Sequence, residues 1–350
     1  MKTLSDWLAH LEGLHPKGQA GIVLGLDRIR LVKEALGQVP YCPVIVVGGT
    51  NGKGSTCAYL ENIIAHAGYK LGCYTSPHLQ AYNERVRVNG QPATDQALCD
   101  AFARVEAARQ RAGNVALTYF EFGTLAAWEV FAQAQVEVMI LEVGLGGRLD
   151  AVNAYEPDIS IVTTVALDHT DWLGNDRESI GFEKAGIYRS GKPAFCADPH
   201  PPQTLLDHAA AIGAELHLLG RDFGFERPSA ETNENRLQWR WWCRSGGRLI
   251  KRALAYPGLR GPTQLYNASV ALAALEALGS QLPVTMQAIR PGLIETELAG
   301  RFQVLPGKPA IVLDVGHNPQ AVKVLADNLS SMGLFDRTLA VVGMLSDKDI

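Results

Sequence analysis

Val44-Ile45-Val46-Val47-Gly48-Gly49-Thr50-Asn51-Gly52-Lys53-Gly54-Ser55-Thr56 is a β-branched run that ends in glycines, a lysine and two hydroxyls, and a helical pattern follows from Cys57. This is the layout of a phosphate cradle. Glycines let backbone N–H groups approach phosphate oxygens, a helix N-terminus adds positive potential, and Lys53 supplies a point charge. A hydroxyl from Ser55 or Thr56 is suited to the magnesium that accompanies ATP. The spacing departs from the usual loop: Gly54 stands where Ser or Thr would follow the lysine, and Val47 occupies the upstream glycine position. Gly-Lys-Gly-Ser-Thr after a buried-type strand still points to ATP rather than to a chance tight turn.

Outward from this loop, strands and helices alternate, as in a parallel sheet covered by helices. Strands are predicted over residues 44–47, 70–74, 137–143, 158–165 and 193–196, and helices from 55 and over 95–111 and 119–133. Between 224 and 256 the texture changes. Residues 236–243 alternate and are rich in tryptophan, and Ser245-Gly246-Gly247 reads as a hairpin turn into 248–254, giving a small antiparallel insertion. An alanine-rich helix is predicted over 267–278. A second unit starts near Gly300, with strands over 310–315 and 339–342 around a helix over 318–329. One strand–helix–strand unit cannot cover both faces of its sheet, so this unit reads as truncated.

The bulk properties narrow the function classes. A chain of 350 residues is expected to hold two domains, or one large domain with additions, and a net charge of −4 without any dense Lys/Arg run argues against a nucleic-acid surface. The six cysteines are scattered, which favours reduced thiols in a cytoplasmic protein over disulfides or structural zinc. The first residues, Met1 to Trp7, are amphipathic and lack a signal-peptide core, and no stretch is long enough to span a membrane.

Polar residues at predicted strand ends are the candidates for chemistry, because ligands of open α/β sheets collect there. Glu142 precedes Gly144-Leu145-Gly146-Gly147 and is positioned to hold Mg²⁺ directly or through water. His169, in Leu167-Asp168-His169-Thr170, is either a ligand or a hydrogen-bonded structural histidine. Lys184 sits among small and apolar neighbours, and composition leaves it an ordinary surface lysine. Asp314, in Asp314-Val315-Gly316-His317-Asn318-Pro319, opens a loop where an acid can take ribose hydroxyls.

These ordered blocks, with Thr75-Ser76-Pro77-His78-Leu79, Thr118-Tyr119-Phe120-Glu121, Glu183-Lys184-Ala185-Gly186-Ile187 and Gly300-Arg301-Phe302, resemble the folylpolyglutamate synthase/dihydrofolate synthase family of the Mur ligase superfamily. The likeness runs from Leu24 to Asp349. It implies an α/β fold: a P-loop-type, mostly parallel ATP- and pterin-binding domain over 1–295, and the start of a Rossmann-like glutamate ligase domain over 296–350. Carried over by position, Thr50, Asn51, Gly52, Lys53, Gly54, Ser55, Asn267, Arg301 and Asp314 would bind ATP. Ser76, Glu142 and His169 would bind Mg²⁺. Val23, Leu24, Thr118, Tyr119, Phe120, Glu121, Leu149, Asp150 and Ala151 would form the pterin pocket. Lys53, Lys184 and His317 would carry catalytic roles, with Lys184 at the position carbamylated in the superfamily.

The implied reaction joins L-glutamate to dihydropteroate and adds γ-glutamates to reduced folates, through an acyl phosphate, in a monomeric enzyme that meets neither nucleic acid nor membrane. Departures from the family pattern are Gly316, in place of alanine before His317, and Thr263, in place of histidine before Gln264. Three alternatives stay open: polyglutamylation alone, a cell-wall amino-acid ligase, and a nucleotide-binding regulatory module.

Overall fold

The computed structural model describes residues 2–15, 22–227, 237–279, 281–333, 335 and 337–344. Met1, Arg236 of the predicted strand over 236–243, and residues 345–349 of the final block lie outside the described residues.

Helices α1 (Leu4–Leu14) and α2 (Asp27–Leu36) precede β1 (Val44–Gly48), which turns into α3 (Lys53–His66). β2 (Leu71–Tyr74), β3 (Val86–Val88) and β4 (Gln91–Pro92) lead to α4 (Asp95–Arg111) and α5 (Tyr119–Ala134). β5 (Val138–Glu142), β6 (Ile159–Val162), α6 (Thr170–Leu173), α7 (Arg177–Ala185), β7 (Pro193–Cys196), α8 (Gln203–Ile212) and β8 (Glu215–Leu218) follow. The eight strands run in the order β4-β3-β2-β5-β1-β6-β7-β8. Pairing is parallel from β2 to β8, and the β3–β4 hairpin closes one edge antiparallel.

Every residue of β1 and β5 is buried, because helices cover both faces of this sheet. Alternation sends Val44 and Val46 into one core with α2, α4 and α5, and Ile45 and Val47 into the other with α3. The second core is completed by the insertion, β9 (Phe223–Glu226), β10 (Gln238–Ser245) and β11 (Arg248–Ala255), and by α9 (Gln264–Leu278) and α10 (Met286–Ile294). The insertion forms the three-stranded antiparallel sheet β11-β10-β9. Trp239 and Trp241 point from β10 into that core, so its tryptophans are packing residues.

After Gly300 the structure departs from the predicted parallel unit. β12 (Gln303–Leu305) and β13 (Ile311–Leu313) pair antiparallel, and α11 (Pro319–Ser331) follows. Residues 339–344 form no strand. A two-stranded ribbon needs only a short connection, whereas a parallel strand needs a sheet neighbour, and Val341 has none among the described residues. Among the described residues, no helix is long and apolar enough to cross a membrane.

Candidate active site

The phosphate loop is held from behind by the strand beside it. Thr50 N donates to Thr164 O (2.7 Å), and the Thr50 hydroxyl donates to Ala166 O (3.1 Å) while accepting from Ala166 N (3.0 Å). Asn51 O accepts from the hydroxyls of Thr163 (2.7 Å) and Thr164 (3.0 Å). Gly49 (φ +139°) passes so close to Thr163 that a Cβ would overlap its hydroxyl, and a Cβ at Gly52 (φ +92°) would lie 2.5 Å from Asn267 Oδ1. Only glycine satisfies both the backbone angle and the space. Lys53 opens α3 and donates to Gly49 O (3.0 Å) and Thr50 O (3.1 Å), so its ammonium caps the loop where phosphate would sit. Of the two candidate hydroxyls, Ser55 lines the cavity, while Thr56 is fully buried away from it.

Glu142 ends β5 against this loop. Its Oε2 accepts from Ser76 N (3.0 Å), which brings two of the predicted metal positions together. Burial raises its pKa, and Lys53, the Ser76 bond and Arg301 pull the other way. His169, the N-cap of α6 in the loop that follows β6, adopts a left-handed backbone (φ +50°), a conformation that non-glycine residues hold mainly where neighbours enforce it. Lys184 corrects the surface reading: it is 3% exposed on α7. Burial, reinforced by Lys53, lowers its pKa to about 7 against the opposing pull of Asp168, Asp150 and Glu183.

The segment after Gly300 supplies the opposite wall. Arg301 is largely buried, and that burial lowers its pKa in spite of Glu142 and Asp314. Asp314 accepts from Phe302 N (2.8 Å) and Gly316 N (2.7 Å), so its carboxylate shapes its own loop as well as facing the cavity. His317 Nε2 lies 3.7 Å from Asp168 Oδ2, and Asn318 Nδ2 donates to the same oxygen (3.2 Å). Asn267, on α9, donates to Gln264 Oε1 (3.1 Å) beside Gly52.

One cavity of about 430 Å³ takes in Thr50, Asn51, Gly52, Lys53, Gly54 and Ser55 with Ser76, Glu142, His169 and Lys184, and also Asn267, Arg301, Asp314 and His317. That volume lies in the range of roughly 300–1,000 Å³ typical of small-molecule sites. Asp168, Gln264 and Gln320, to which the sequence analysis assigns no role, also line it. Asp168 carried a usable signal, because it stands in the polar cluster that follows β6.

The predicted pterin residues lie outside this cavity and gather beside it. Arg28 links three of them: it donates to Val23 O (2.8 Å), pairs with Glu121 (3.0 Å), and Glu121 in turn accepts from Thr118 N (2.7 Å). Gly25 N donates to Leu149 O (3.2 Å), which ties the Leu24 segment to the Leu149–Ala151 turn. Tyr119 and Phe120 open α5, and the Phe120 ring packs on Gly144, which lines the cavity. Asp150 is buried, accepts from Leu145 N (2.9 Å) and Val152 N (3.0 Å), and burial pushes its pKa up to about 7.

A phosphate loop, an acidic strand end and a buried lysine facing a second α/β unit define an ATP-dependent ligase of the Mur type. Residues 47–275 match the model of the Mur ligase middle domain, and residues 300–350 that of the Mur ligase, glutamate ligase domain. Over 348 residues the chain is 47% identical to the dihydrofolate synthase/folylpolyglutamate synthase of Escherichia coli (strain K12), covering 99% of this chain and 77% of that protein. The Bacillus subtilis (strain 168) protein of the same description is 30% identical over 358 residues, with 96% and 79% covered. The structure of E. coli FolC in complex with DHPP and ADP superposes with a TM-score of 0.90 at 46% identity, covering 99% of this chain and 79% of that one. A bifunctional folylpolyglutamate synthase/dihydrofolate synthase with Mn, AMPPNP and L-glutamate bound gives a TM-score of 0.86 at 45% identity, with 100% and 79% covered. The chain belongs to the dihydrofolate synthase/folylpolyglutamate synthase family.

Proposed function

We propose that this chain joins L-glutamate to dihydropteroate, giving dihydrofolate, and extends reduced folates with γ-linked glutamates, consuming ATP each time. The observation that carries this reading is the single cavity walled by Lys53 and Glu142 on one side and by Arg301, Asp314 and His317 on the other. The two matched segments support a division into an ATP- and pterin-binding domain over 1–295 and a glutamate ligase domain from 296.

Amide formation needs an activated acid. A carboxylate oxygen of the acceptor attacks the γ-phosphorus of ATP, ADP departs, and an acyl phosphate forms. The neutral amine of glutamate then attacks the acyl carbon, phosphate leaves, and the nitrogen sheds a proton. Both reactants of the first step are anions, so Lys53 and Arg301 are suited to neutralise charge as the phosphoryl group moves. Closure of the cleft between the two units would exclude water that hydrolyses the acyl phosphate.

Ser76, Glu142 and His169 would hold Mg²⁺. Their oxygen-rich set, anchored by the buried Glu142 carboxylate, fits a hard cation that keeps waters and takes phosphate oxygens as further ligands. When bound, the ion supplies charge neutralisation at the phosphates. Lys184, with its pKa near 7, holds a large fraction of free amine at neutral pH, and that is the form that adds carbon dioxide. Carbamylation would place an anion beside Lys53. The pterin ring of the acceptor would lie among Val23, Leu24, Thr118–Glu121 and Leu149–Ala151, next to Phe120 and Gly144. The scattered thiols, all free, fit a cytoplasmic enzyme, and the family resemblance implies a monomer.

The test follows labelled glutamate with dihydropteroate and tetrahydrofolate in separate reactions. Incorporation with both acceptors supports the bifunctional reading, and tetrahydrofolate alone leaves polyglutamylation only. Lys53→Ala and Glu142→Ala should each lower the rate by roughly 10²-fold or more, the scale on which lost electrostatic stabilisation is felt. Unmodified rates in either variant would sink the assignment.

A further inference from the structure

Val165 lies in the loop after β6, shortly before His169, and both polar atoms of its backbone are gripped by side chains from elsewhere. Its N–H donates to Asp198 Oδ2 (2.7 Å), and its carbonyl accepts from Arg177 Nε (2.9 Å). The two grips are joined to each other, because Arg177 Nη2 donates to the same Asp198 oxygen (3.0 Å) and to His200 O (2.8 Å). Asp198 Oδ1 takes His200 N (2.8 Å), so this carboxylate, only 5% exposed, accepts from the β6 loop, from α7 and from its own turn after β7. A guanidinium bonded to a buried carboxylate offsets its charge, and charge-assisted bonds of this kind hold a defined geometry.

Arg177 and Asp198 stand behind the cavity wall, whereas Pro199, Asp168, His169 and Lys184 line it. The next backbone unit, Ala166, is held by the Thr50 hydroxyl of the phosphate loop. His169 follows with its left-handed backbone, which persists only where the surrounding structure over-determines it. Arg177 opens α7, and Lys184 lies about two turns further along nearly the same face of that helix. The phosphate loop has separate supports in Thr163 and Thr164.

We propose that Arg177 and Asp198 form a clamp of positioning residues that keeps the β6 loop in register with α7, so that His169 is presented to a divalent cation in one orientation. The inference rests on the reading of His169 as a metal position and extends it to two residues that touch neither metal nor nucleotide. Outer residues that orient a metal ligand commonly govern affinity by roughly 10–100-fold. A clamp of this kind acts on the cation and leaves the grip on phosphate nearly unchanged.

The experiment titrates Mn²⁺ into the full chain carrying a non-hydrolysable ATP analogue and follows the free ion by electron paramagnetic resonance. Binding of the analogue without metal is measured in parallel by calorimetry. The proteins are the unmodified chain, His169→Gln, Asp198→Ala, Arg177→Met, and the Asp198→Ala/Arg177→Met double variant. Asp198→Ala should weaken Mn²⁺ binding by about tenfold or more. Arg177→Met should weaken it by about fivefold, since a half-exposed pair contributes less. The double variant should lose less than the product of the two, because both changes remove one brace. Metal-free binding of the analogue should stay within about twofold throughout.

Mn²⁺ affinity unchanged in either single variant overturns the clamp, and Arg177→Met decides the matter if Asp198→Ala does not fold. Losses that multiply in the double variant also overturn it, as the two residues then act separately. Metal-free binding that weakens in step with Mn²⁺ binding makes the pair a general support of the fold and removes the proposed role. His169→Gln is the separate check on the underlying reading: unchanged Mn²⁺ affinity there removes His169 as a metal position and the clamp with it.

Discussion

The two walls of the cavity are built differently. Behind the phosphate loop lies a sheet buried on both faces, and its supports extend well beyond the site. Trp128 stacks on Tyr155 (4.2 Å between ring centroids, 4° between planes), and Tyr155 OH donates to Gln38 Oε1 (2.6 Å). Arg87, on the edge hairpin, pairs with Glu61 of α3 (2.7 Å) and donates to Thr75 Oγ1 (2.9 Å), next to Ser76. The opposite wall stands on a two-stranded ribbon whose Ile311 is 50% exposed. Its buried polar anchor, Asn318, is spent on the site itself. The difference teaches that the groups gripping phosphate are preorganised by a core, whereas Arg301, Asp314 and His317 ride on a short ribbon and its loops. One wall is a scaffold, and the other docks on it.

Four measurements would break or sharpen that contrast. Trp128→Ala should destabilise the chain by about 3–5 kcal/mol in denaturant titration, as large-to-small changes in a closed core do. A loss below about 1 kcal/mol would mean that the scaffold wall is not tightly packed. Arg87→Met should follow at roughly 3 kcal/mol, because it leaves Glu61 buried without its partner, and ATP binding should weaken as Thr75 and Ser76 lose their brace.

The third measurement uses pH. The Asp150 carboxyl ordinarily titrates near 3.8 and is pushed up to about 7 in the folded chain by burial. Between these values the folded state binds the extra proton, so Asp150 makes stability fall as pH rises from about 4 to about 7. Lys184 is protonated in both states through most of that window and contributes little to the slope. Relative to the unmodified chain, Asp150→Asn should therefore gain roughly 1–3 kcal/mol across the window, read as the difference in urea midpoints. Parallel profiles for the two proteins would remove the buried-carboxylate reading. The smallest effect belongs to the docked wall: Ile311→Ala should change global stability by no more than about 0.5 kcal/mol, and a cost near that of Trp128→Ala would erase the contrast.

Much of the scaffold wall is legible in the chain itself. The run from Val44 to Thr56 announces strand, turn and helix, because β-branched residues, glycines with left-handed angles and a helix-opening lysine each act locally. Glu142 is legible for the same reason, as an acid that ends an apolar run. Composition alone leaves Lys184 open to the surface reading, because the elements that bury it to 3% exposure are distant in the sequence. The segment after Gly300 forms an antiparallel ribbon rather than the expected parallel unit, since periodicity marks a strand but not its partner or direction.

The amino-acid sequence by itself determined the alternation of elements, the phosphate loop, the acidic strand end and the family, all of which rest on local patterns or on ordered blocks of residues. Only the tertiary structure decided that Asn51 reaches Asn318, that Asp168 receives both His317 and Asn318, and that Lys184 sits with its pKa near 7. Residues 51 and 318 are separated by 267 positions, and a hydrogen bond between them is a property of how two units are docked, which local spacing does not specify.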